Sequence, residues 1–467
     1  MVNLKGKKVT VMGVGLHGGS LEMIKWLSEQ GARVIATDIK KKEDLKPTME
    51  KLSHLKNLKI ITGQHRPEDF NKVDLVIKNP AVPWRNKYIQ MAIKNNIPIE
   101  MDSSLFIQNC KSSKIIGVTG TKGKTTTAFL IAEILKKAGL KASRVGIGQE
   151  PVMDKLKEID KDTYVVFELS SWRLAGLEKI KKSPKYAVLT NIYPDHLNHY
   201  DSMEQYIDDK KQIYFNQSSK DSVVLNFDNK YCKEMAREAK GRILTYSLYD
   251  NEINDSVFVK KGKVFCRFAN EESEIMDVKK IGLRGSHNIY NVLAAIEVCL
   301  VIGVDKYLIS KAARNFKSVP HRLEFVRDLR NVKYYNDTTA TTPESSVAGI
   351  NAFLKPINLI AGGSSKKLDS RKLARKIADS KYIKRVYLIQ GNATEEFKKE
   401  IIEFGGEDKI MGVYNNFKEL IQAVSRAAGE GEVVLLSPGF ASFGMFKNEF
   451  DRGRQFREIV NGLTARS

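Results

Sequence analysis

The sequence predicts an α/β protein of three domains. Three observations carry that expectation: a strand, glycine turn, helix and strand at residues 7 to 39, a second strand, glycine loop and helix after Ser112, and renewed alternation of strands and helices after Val319. At 467 residues the chain is too long for one ordinary core, and a typical domain size divides it into about three units. The expected boundaries are 1–111, 112–318 and 319–467, with each unit able to bury a core of its own.

The first unit begins with KKVTVMGVG, then LHGGSLEMIKWLSEQG, then ARVIATDIK, which is one βαβ unit. Gly13, Gly15 and Gly18 spell GxGxxG directly after the strand, and Asp38 ends the second strand about 20 residues on. Such glycines let the backbone approach a diphosphate at a helix N-terminus. The pattern serves NAD or FAD and also other nucleotide ligands, and both readings stay open. Further strands are expected at 58–62, 73–78 and 97–100, which makes this domain a small open sheet of Rossmann-like form.

The second unit opens with SKIIGVTGTKGKTTTAFLIAEILKKAGLKASRVG: a strand, a glycine-rich loop and a helix with apolar Phe129, Ile131, Ile134 and Leu135. Strands at 163–169, 185–191 and 222–226 continue a mostly parallel sheet, and the alternating runs between 243 and 283 read as a β-hairpin insertion. In the last third, strands at 333–336, 357–361, 385–389 and 433–436 alternate with helices and predict a second Rossmann-like domain.

Composition excludes several classes. Hydrophobic residues make up 42% and charged residues 28%, the balance of a globular protein rather than a disordered or fibrous one. No apolar run approaches the roughly 20 residues that cross a bilayer. The opening segment lacks the apolar h-region and cleavage site of a signal peptide, so a cytoplasmic protein without membrane insertion is expected. Cys110, Cys232, Cys266 and Cys299 are scattered, without zinc spacing, and are expected to be reduced. The formal charge of +22 is spread along the chain rather than gathered in a basic tail, which favours a lysine-rich surface over a nucleic-acid site.

The sharpest chemical signal is the loop Gly117, Gly120, Gly123, Lys124, Thr125, a phosphate loop of the central domain. Backbone N–H groups of such a loop face phosphate oxygens, the lysine neutralises the β/γ charge, and the following hydroxyl holds Mg²⁺. Val118 stands where the strict pattern has its first glycine, but the strand before and the helix after favour ATP or GTP over a plain glycine turn. Glu168 ends the apolar strand VVFEL, where a carboxylate needs a cation, whether a metal or a basic side chain. His196 follows Asp195 at a strand end, either as a ligand or as a solvated loop histidine.

The loop GVTGTKGKT resembles that of the Mur ligases and their folylpolyglutamate synthase relatives. Further blocks resemble that family in the same order: ELSSWRL (168–174), NIYPDHLNHY (191–200), YIDDKKQIY (206–214), GSHNIYNVLAA (285–295), VPHRLEF (319–325), NDTTAT (336–341), AGGSSKKLD (361–369) and LSPGFASFGMFKNEFDRG (436–453). The resemblance spans nearly the whole chain. It implies an ATP-dependent amide ligase that activates a carboxylate as an acyl phosphate, with ATP held by Gly117, Thr119, Gly120, Thr121, Lys122, Gly123, Lys124, Thr125, Thr126, Asn288, Asn291, Arg322 and Asp337. It also implies two Mg²⁺ ions at Thr125, Glu168, His196 and Lys210, with Lys210 carbamylated and Lys211 as the competing choice. Lys124, Glu168, His196 and Lys210 become the catalytic set.

The same resemblance implies two small-molecule partners and a monomer. UDP-N-acetylmuramoyl-L-alanine would lie at Leu16, His17, Asp38 and Lys40, and glutamate at Thr341, Lys366 and Ser442. Five places depart from the family: Thr339 stands for a lysine, Arg173 for a glutamine, Glu449 for an aromatic, His17 for a small hydroxyl residue, and VGIGQEP lacks an asparagine. The rival readings are a ligase of the same class using L-glutamate, another amino acid or another UDP-linked acceptor, a P-loop ATPase or nucleotide-sensing module, and an NAD-dependent dehydrogenase. The last leaves the second phosphate loop idle.

Overall fold

The computed structural model describes residues 3–15, 19–148, 150–195, 200–250, 252–283, 285–316, 318–366 and 368–464. The chain folds into two compact units, one of residues 1–280 with 290–313 and one of residues 281–289 with 314–467.

The first unit contains two sheets. Its N-terminal sheet is fully parallel, in the order Leu58–Thr62, Arg33–Asp38, Lys8–Met12, Leu75–Lys78, Ile99–Glu100. The order reverses between Lys8–Met12 and Leu75–Lys78, the switch point at which open parallel sheets bind ligands beyond their carboxyl ends. The fold is therefore Rossmann-like, as the βαβ unit implies. The nine-stranded central sheet carries Ile115–Thr119 in its interior, between Tyr186–Leu189 and Tyr164–Glu168. These strands are buried almost throughout, so they read as continuous apolar runs rather than alternating ones.

The stretch expected as a hairpin insertion is a continuation of this sheet. Arg242–Ser247 adds in parallel to Ser222–Asn226, and a meander of Ser256–Lys260, Lys263–Phe268 and Glu271–Asp277 extends the edge. The N-terminal sheet keeps a cluster of its own at Met12, Phe70, Val76, Ile89, Ala92 and Ile99, but the two sheets also share a core. A continuous buried cluster runs from Val9, Ile24 and Val34 through Leu105 and Phe106 to Phe167 and Leu189. Phe106 and Phe167 meet edge to face at 5.1 Å. Burying each such ring contributes roughly 1.5–3 kcal/mol, which makes this junction part of the folded core rather than a hinge.

The second unit has a six-stranded sheet in the order Glu324–Leu329, Val332–Asn336, Val433–Leu436, Ile357–Gly362, Ile383–Ile389, Ile410–Tyr414. All neighbours are parallel except the first pair. Helices cover both faces, each over its own apolar cluster. Among the described residues no helix is long and apolar enough to cross a membrane.

Candidate active site

In the first unit the site grows from the carboxyl end of Ile115–Thr119. Thr119 is fully buried and its hydroxyl donates to Leu169 O at 2.7 Å, so it ties the base of the loop to the neighbouring strand. Gly120 adopts φ 142° and Gly123 φ 89°, a region that disfavours side chains. A Cβ at Gly120 would fall inside the Thr190 hydroxyl, and one at Gly123 inside the Asn291 amide. Asn191 braces the loop from the adjacent strand end: its O accepts from Thr121 N at 2.8 Å and its Oδ1 from Lys122 N at 2.9 Å. The Thr121 hydroxyl meets Tyr206 OH at 3.0 Å and accepts from Tyr193 N at 2.9 Å.

The helix Lys124–Lys137 starts from Gly123, which has no side chain to cap it. The helix dipole favours negative charge at this end. Lys124 Nζ donates to Gly120 O and Thr121 O, at 2.9 and 3.1 Å, which holds its charge over the loop. Thr125 and Thr126 lie almost buried in the first turn, and Lys122 is exposed and pairs with Asp195 at 3.4 Å. Asn291 reaches the loop from a later helix, within 3.4 Å of the Thr127 hydroxyl.

Strand register sets Glu168 opposite Val118, beside the loop's first residues. The carboxylate is buried and its Oε2 has no hydrogen-bond partner. No basic side chain pairs with it among the described residues, which disposes of the salt-bridge alternative there. An orphaned buried carboxylate oxygen next to a phosphate loop suits a divalent cation. Among the described residues no three His, Cys, Asp or Glu side chains converge on one point, so phosphate oxygens or water would complete such a cation's shell.

Lys210 and Lys211 have different environments. Lys210 is buried, donates to Gly120 O at 3.1 Å and lies 4.7 Å over the Tyr206 ring. Burial, helped by the nearby Lys124 charge, pushes its ammonium well below the usual lysine range. Lys211 points outward to Glu238 at 2.8 Å. Only a neutral amine adds CO₂, and burial shifts Lys210 towards that form.

The glycine turn at the first switch point is held by Asp38, which accepts from Val14 N at 2.9 Å, Gly15 N at 3.2 Å and Lys40 N at 3.0 Å. Lys40 is exposed beside it. Leu16, His17, Gly18 and His196 lie outside the described residues.

In the second unit Arg322 is exposed between His321 and Leu323, whose φ values of 68° and 44° are unusual for residues with side chains. The Thr339 hydroxyl donates to His321 O at 2.9 Å, so the residue that departs from the family lysine helps to hold this turn. Asp337 is buried and accepts from Leu323 N and Ser437 Oγ, and burial raises its carboxyl to about 7. Lys366 Nζ donates to Thr341 Oγ1 at 2.7 Å, and the two line a small pocket with Pro343, Ser365, Gly439 and Phe440. Ser442 is buried beside the Ser364–Ala441 bridge that closes the pocket's edge. Asn288 belongs to this unit and is buried.

Two supports were missed in the sequence. Asn191 was quoted only as part of a block, and Arg452 was not singled out. Arg452 is fully buried, and its guanidinium donates to Thr338 Oγ1 and O at 3.0 and 2.9 Å and to Phe440 O at 3.4 Å, joining the two segments that flank the pocket. The only sequence signal was an arginine in the first turn of a helix, where a cation opposes the dipole.

Fold and loop together define a three-sheet α/β protein with a phosphate loop at a buried acidic strand end. Residues 7–100 match the MurD-like N-terminal domain of Mur ligases, residues 118–299 the Mur ligase middle domain, and residues 321–440 the Mur ligase glutamate ligase domain. The chain belongs to the Mur ligase family. It is 37% identical to a UDP-N-acetylmuramoylalanine--D-glutamate ligase of Roseiflexus sp. (strain RS-1), covering 99% of this chain and 100% of that one. The enzyme of the same name from Caldicellulosiruptor bescii is 36% identical, over 99% of each chain. The solved UDP-N-acetylmuramate-alanine ligase of Thermotoga maritima shares the fold at a TM-score of 0.62, with 20% identity over 98% of this chain and 99% of that one.

Proposed function

We propose that this chain is an ATP-dependent ligase that joins D-glutamate to the L-alanine carboxylate of UDP-N-acetylmuramoyl-L-alanine, a step of peptidoglycan precursor synthesis. Full-length relatives at 33–37% identity bearing that activity in their names support the substrates. The observation that carries the chemistry is Lys210, whose buried amine is anchored to Gly120 O of the phosphate loop, because a plain nucleotide-binding module has no use for it.

In this reading residues 1–111 hold the sugar nucleotide, 112–318 hold ATP, and 319–467 bring the amino acid and Arg322. The alanine carboxylate attacks the γ-phosphorus of ATP, an O–P bond forms, and the bond to ADP breaks. The glutamate amine then attacks the acyl carbon, the C–N bond forms, and inorganic phosphate leaves with the amine's proton passed to solvent. The start of the helix after the loop and the Lys124 ammonium offset the charge that spreads over the transferring phosphoryl oxygens. Glu168, Thr125, His196 and Lys210 would hold Mg²⁺, which supplies further charge neutralisation when bound. Lys210 amine plus CO₂ gives a carbamate and a proton, turning a cation into an anionic ligand. By resemblance Asp337 would meet the ribose, and Asn288 and Asn291 the adenine edge. Lys366, Thr341 and Ser442 suit a dicarboxylate, a cation with two hydroxyls. The enzyme acts as a cytoplasmic monomer.

The test is phosphate release by the purified chain with ATP, Mg²⁺ and UDP-N-acetylmuramoyl-L-alanine, with D- and L-glutamate in separate arms. Turnover with the D-enantiomer is expected. Turnover with the L-enantiomer alone would move the enzyme to a sister specificity, and silence in both arms would remove the assignment.

A further inference from the structure

Arg173 closes the short helix Ser171–Leu174, five residues beyond Glu168. Its guanidinium is engaged on both sides. Nε and Nη2 lie 3.1 and 3.0 Å from Asp102 Oδ2, and Nη1 donates to Gly146 O at 2.8 Å. Asp102 opens the helix Asp102–Asn109, which follows the last strand of the N-terminal sheet. Gly146 directly follows the strand Ala142–Val145 at one edge of the central sheet. One side chain thus ties together a helix of the sugar-nucleotide domain, the edge of the central sheet and the turn that descends from Glu168.

The packing around this tie has no slack. Ser103 Oγ donates back to Arg173 O at 2.7 Å. A Cβ at Gly176 would come within 2.9 Å of Met101 Sδ, and one at Gly146 within 2.8 Å of both Arg173 Nη1 and Glu168 O. Among the described residues two other ion pairs join the same domains, Arg85–Asp201 and Lys157–Glu29, but their side chains are 49–73% exposed. Pairs of that kind contribute little and hold no fixed geometry. The Arg173 and Asp102 side chains are 15% and 19% exposed, which limits screening, and the planar fork fixes direction as well as distance.

We propose that Arg173 is a positioning residue for catalysis: with Asp102 and Gly146 O it sets the register of the acceptor-binding domain against the Glu168 strand, so that the acceptor carboxylate arrives at the phosphate loop in line. The proposal rests on the ligase reading above. A loosened register leaves each binding site intact but scatters the approach of carboxylate to phosphorus, and misplacements of about 1 Å cost on the order of 10²-fold in rate. The predicted signature is a fall in kcat with little change in the affinity of either nucleotide.

The experiment is a double-mutant cycle in the full-length enzyme, with Arg173→Met, Asp102→Asn and the pair, plus Arg173→Lys, which keeps the charge but cannot reach both partners with a rigid fork. Phosphate release gives kcat, and calorimetry gives the dissociation constants of ATP and of UDP-N-acetylmuramoyl-L-alanine. Arg173→Met should lower kcat at least tenfold with both dissociation constants within threefold. Asp102→Asn should lower it about threefold, the pair should be no worse than Arg173→Met, and Arg173→Lys should recover only part of the loss. Unchanged kcat in an active background, a lower melting temperature alone, or multiplicative losses in the pair would overturn the proposal. If Arg173→Met does not fold, the near-isosteric Asp102→Asn decides, with unchanged kcat counting against the tie. A wild-type chain that releases no phosphate overturns the ligase reading itself, and the catalytic role of Arg173 with it.

Discussion

The phosphate loop of the first unit and the Thr341–Lys366 pocket of the second are built by opposite means. The loop's shape is set by its main chain: glycines at 120 and 123, an uncapped helix start, and neighbours at Thr190, Asn191 and Asn291 that leave no room for a side chain at either glycine. The pocket is assembled from three segments between Thr341 and Phe440, with Lys366 exposed and the flanking segments tied by Arg452. A backbone site binds what every nucleotide has in common. A side-chain site can be retuned by single substitutions, which suits the amino-acid role proposed for it above.

The contrast can be broken most severely at Gly120. Gly120→Ala should abolish measurable ATP binding and turnover, because the new methyl collides with Thr190 and the backbone conformation is strained as well. Titration calorimetry reads this directly, and retained ATP affinity would show that the loop tolerates what its geometry forbids. Next in size, Lys210→Ala should lower kcat by about 10²–10³-fold while ATP affinity stays within a few-fold, separating the chemistry from the cradle. Lys366→Ala should raise the KM for glutamate about tenfold or more, the equivalent of losing a charged hydrogen bond, and leave the KM for ATP unchanged. An equal effect on both substrates would mean that the two sites are not independent.

Smaller effects sharpen the second unit alone. Arg452→Met leaves buried acceptors at Thr338 and Phe440 unsatisfied and should cost about 1–3 kcal/mol, seen as a drop of several degrees in thermal melting. Asp337 gives a dependence on pH. Its carboxyl titrates near 7 in the folded unit against an ordinary value of 3.8, so the folded state binds the proton more tightly. The associated stability is complete below about pH 4 and is lost as the pH rises towards 7, at a slope of up to about 1.4 kcal/mol per pH unit. Melting curves of wild type and Asp337→Asn across that window should converge on different slopes, with the asparagine variant the flatter.

The same division explains what could be read in the sequence. GVTGTKGKTTT announces its structure because each residue acts through its own backbone and its immediate neighbours, and the buried strands VVFEL and VVLL are legible as unbroken apolar runs. Ala142–Val145 was not legible as a strand, since it is a half-buried edge with polar Ser143 and Arg144. Glu324–Leu329, an antiparallel edge with charged Arg327 and Asp328, and Ile410–Tyr414, interrupted by Gly412, were hidden for the same reason. The register of Tyr206 and Ile213 favours Lys210 over Lys211, and the burial of Lys210 against Gly120 is what physically sets the two apart. Asn191 and Arg452 act on partners about 70 and 114 residues away, and adjacency of that range is a property of the fold.

The meander that ends the central sheet has its own consequence. Lys260 and Arg267 both reach Glu272, and Lys263 reaches Glu274, so three cations on inner strands lock onto two acids of the outermost one. Sliding Glu271–Asp277 by a single residue would turn each of these groups to the wrong face at once, and a foreign strand seeking to pair there would meet a hydrated row of carboxylates. A nine-stranded ribbon is a natural seed for fibrous growth, and here its last margin carries charges that oppose such pairing.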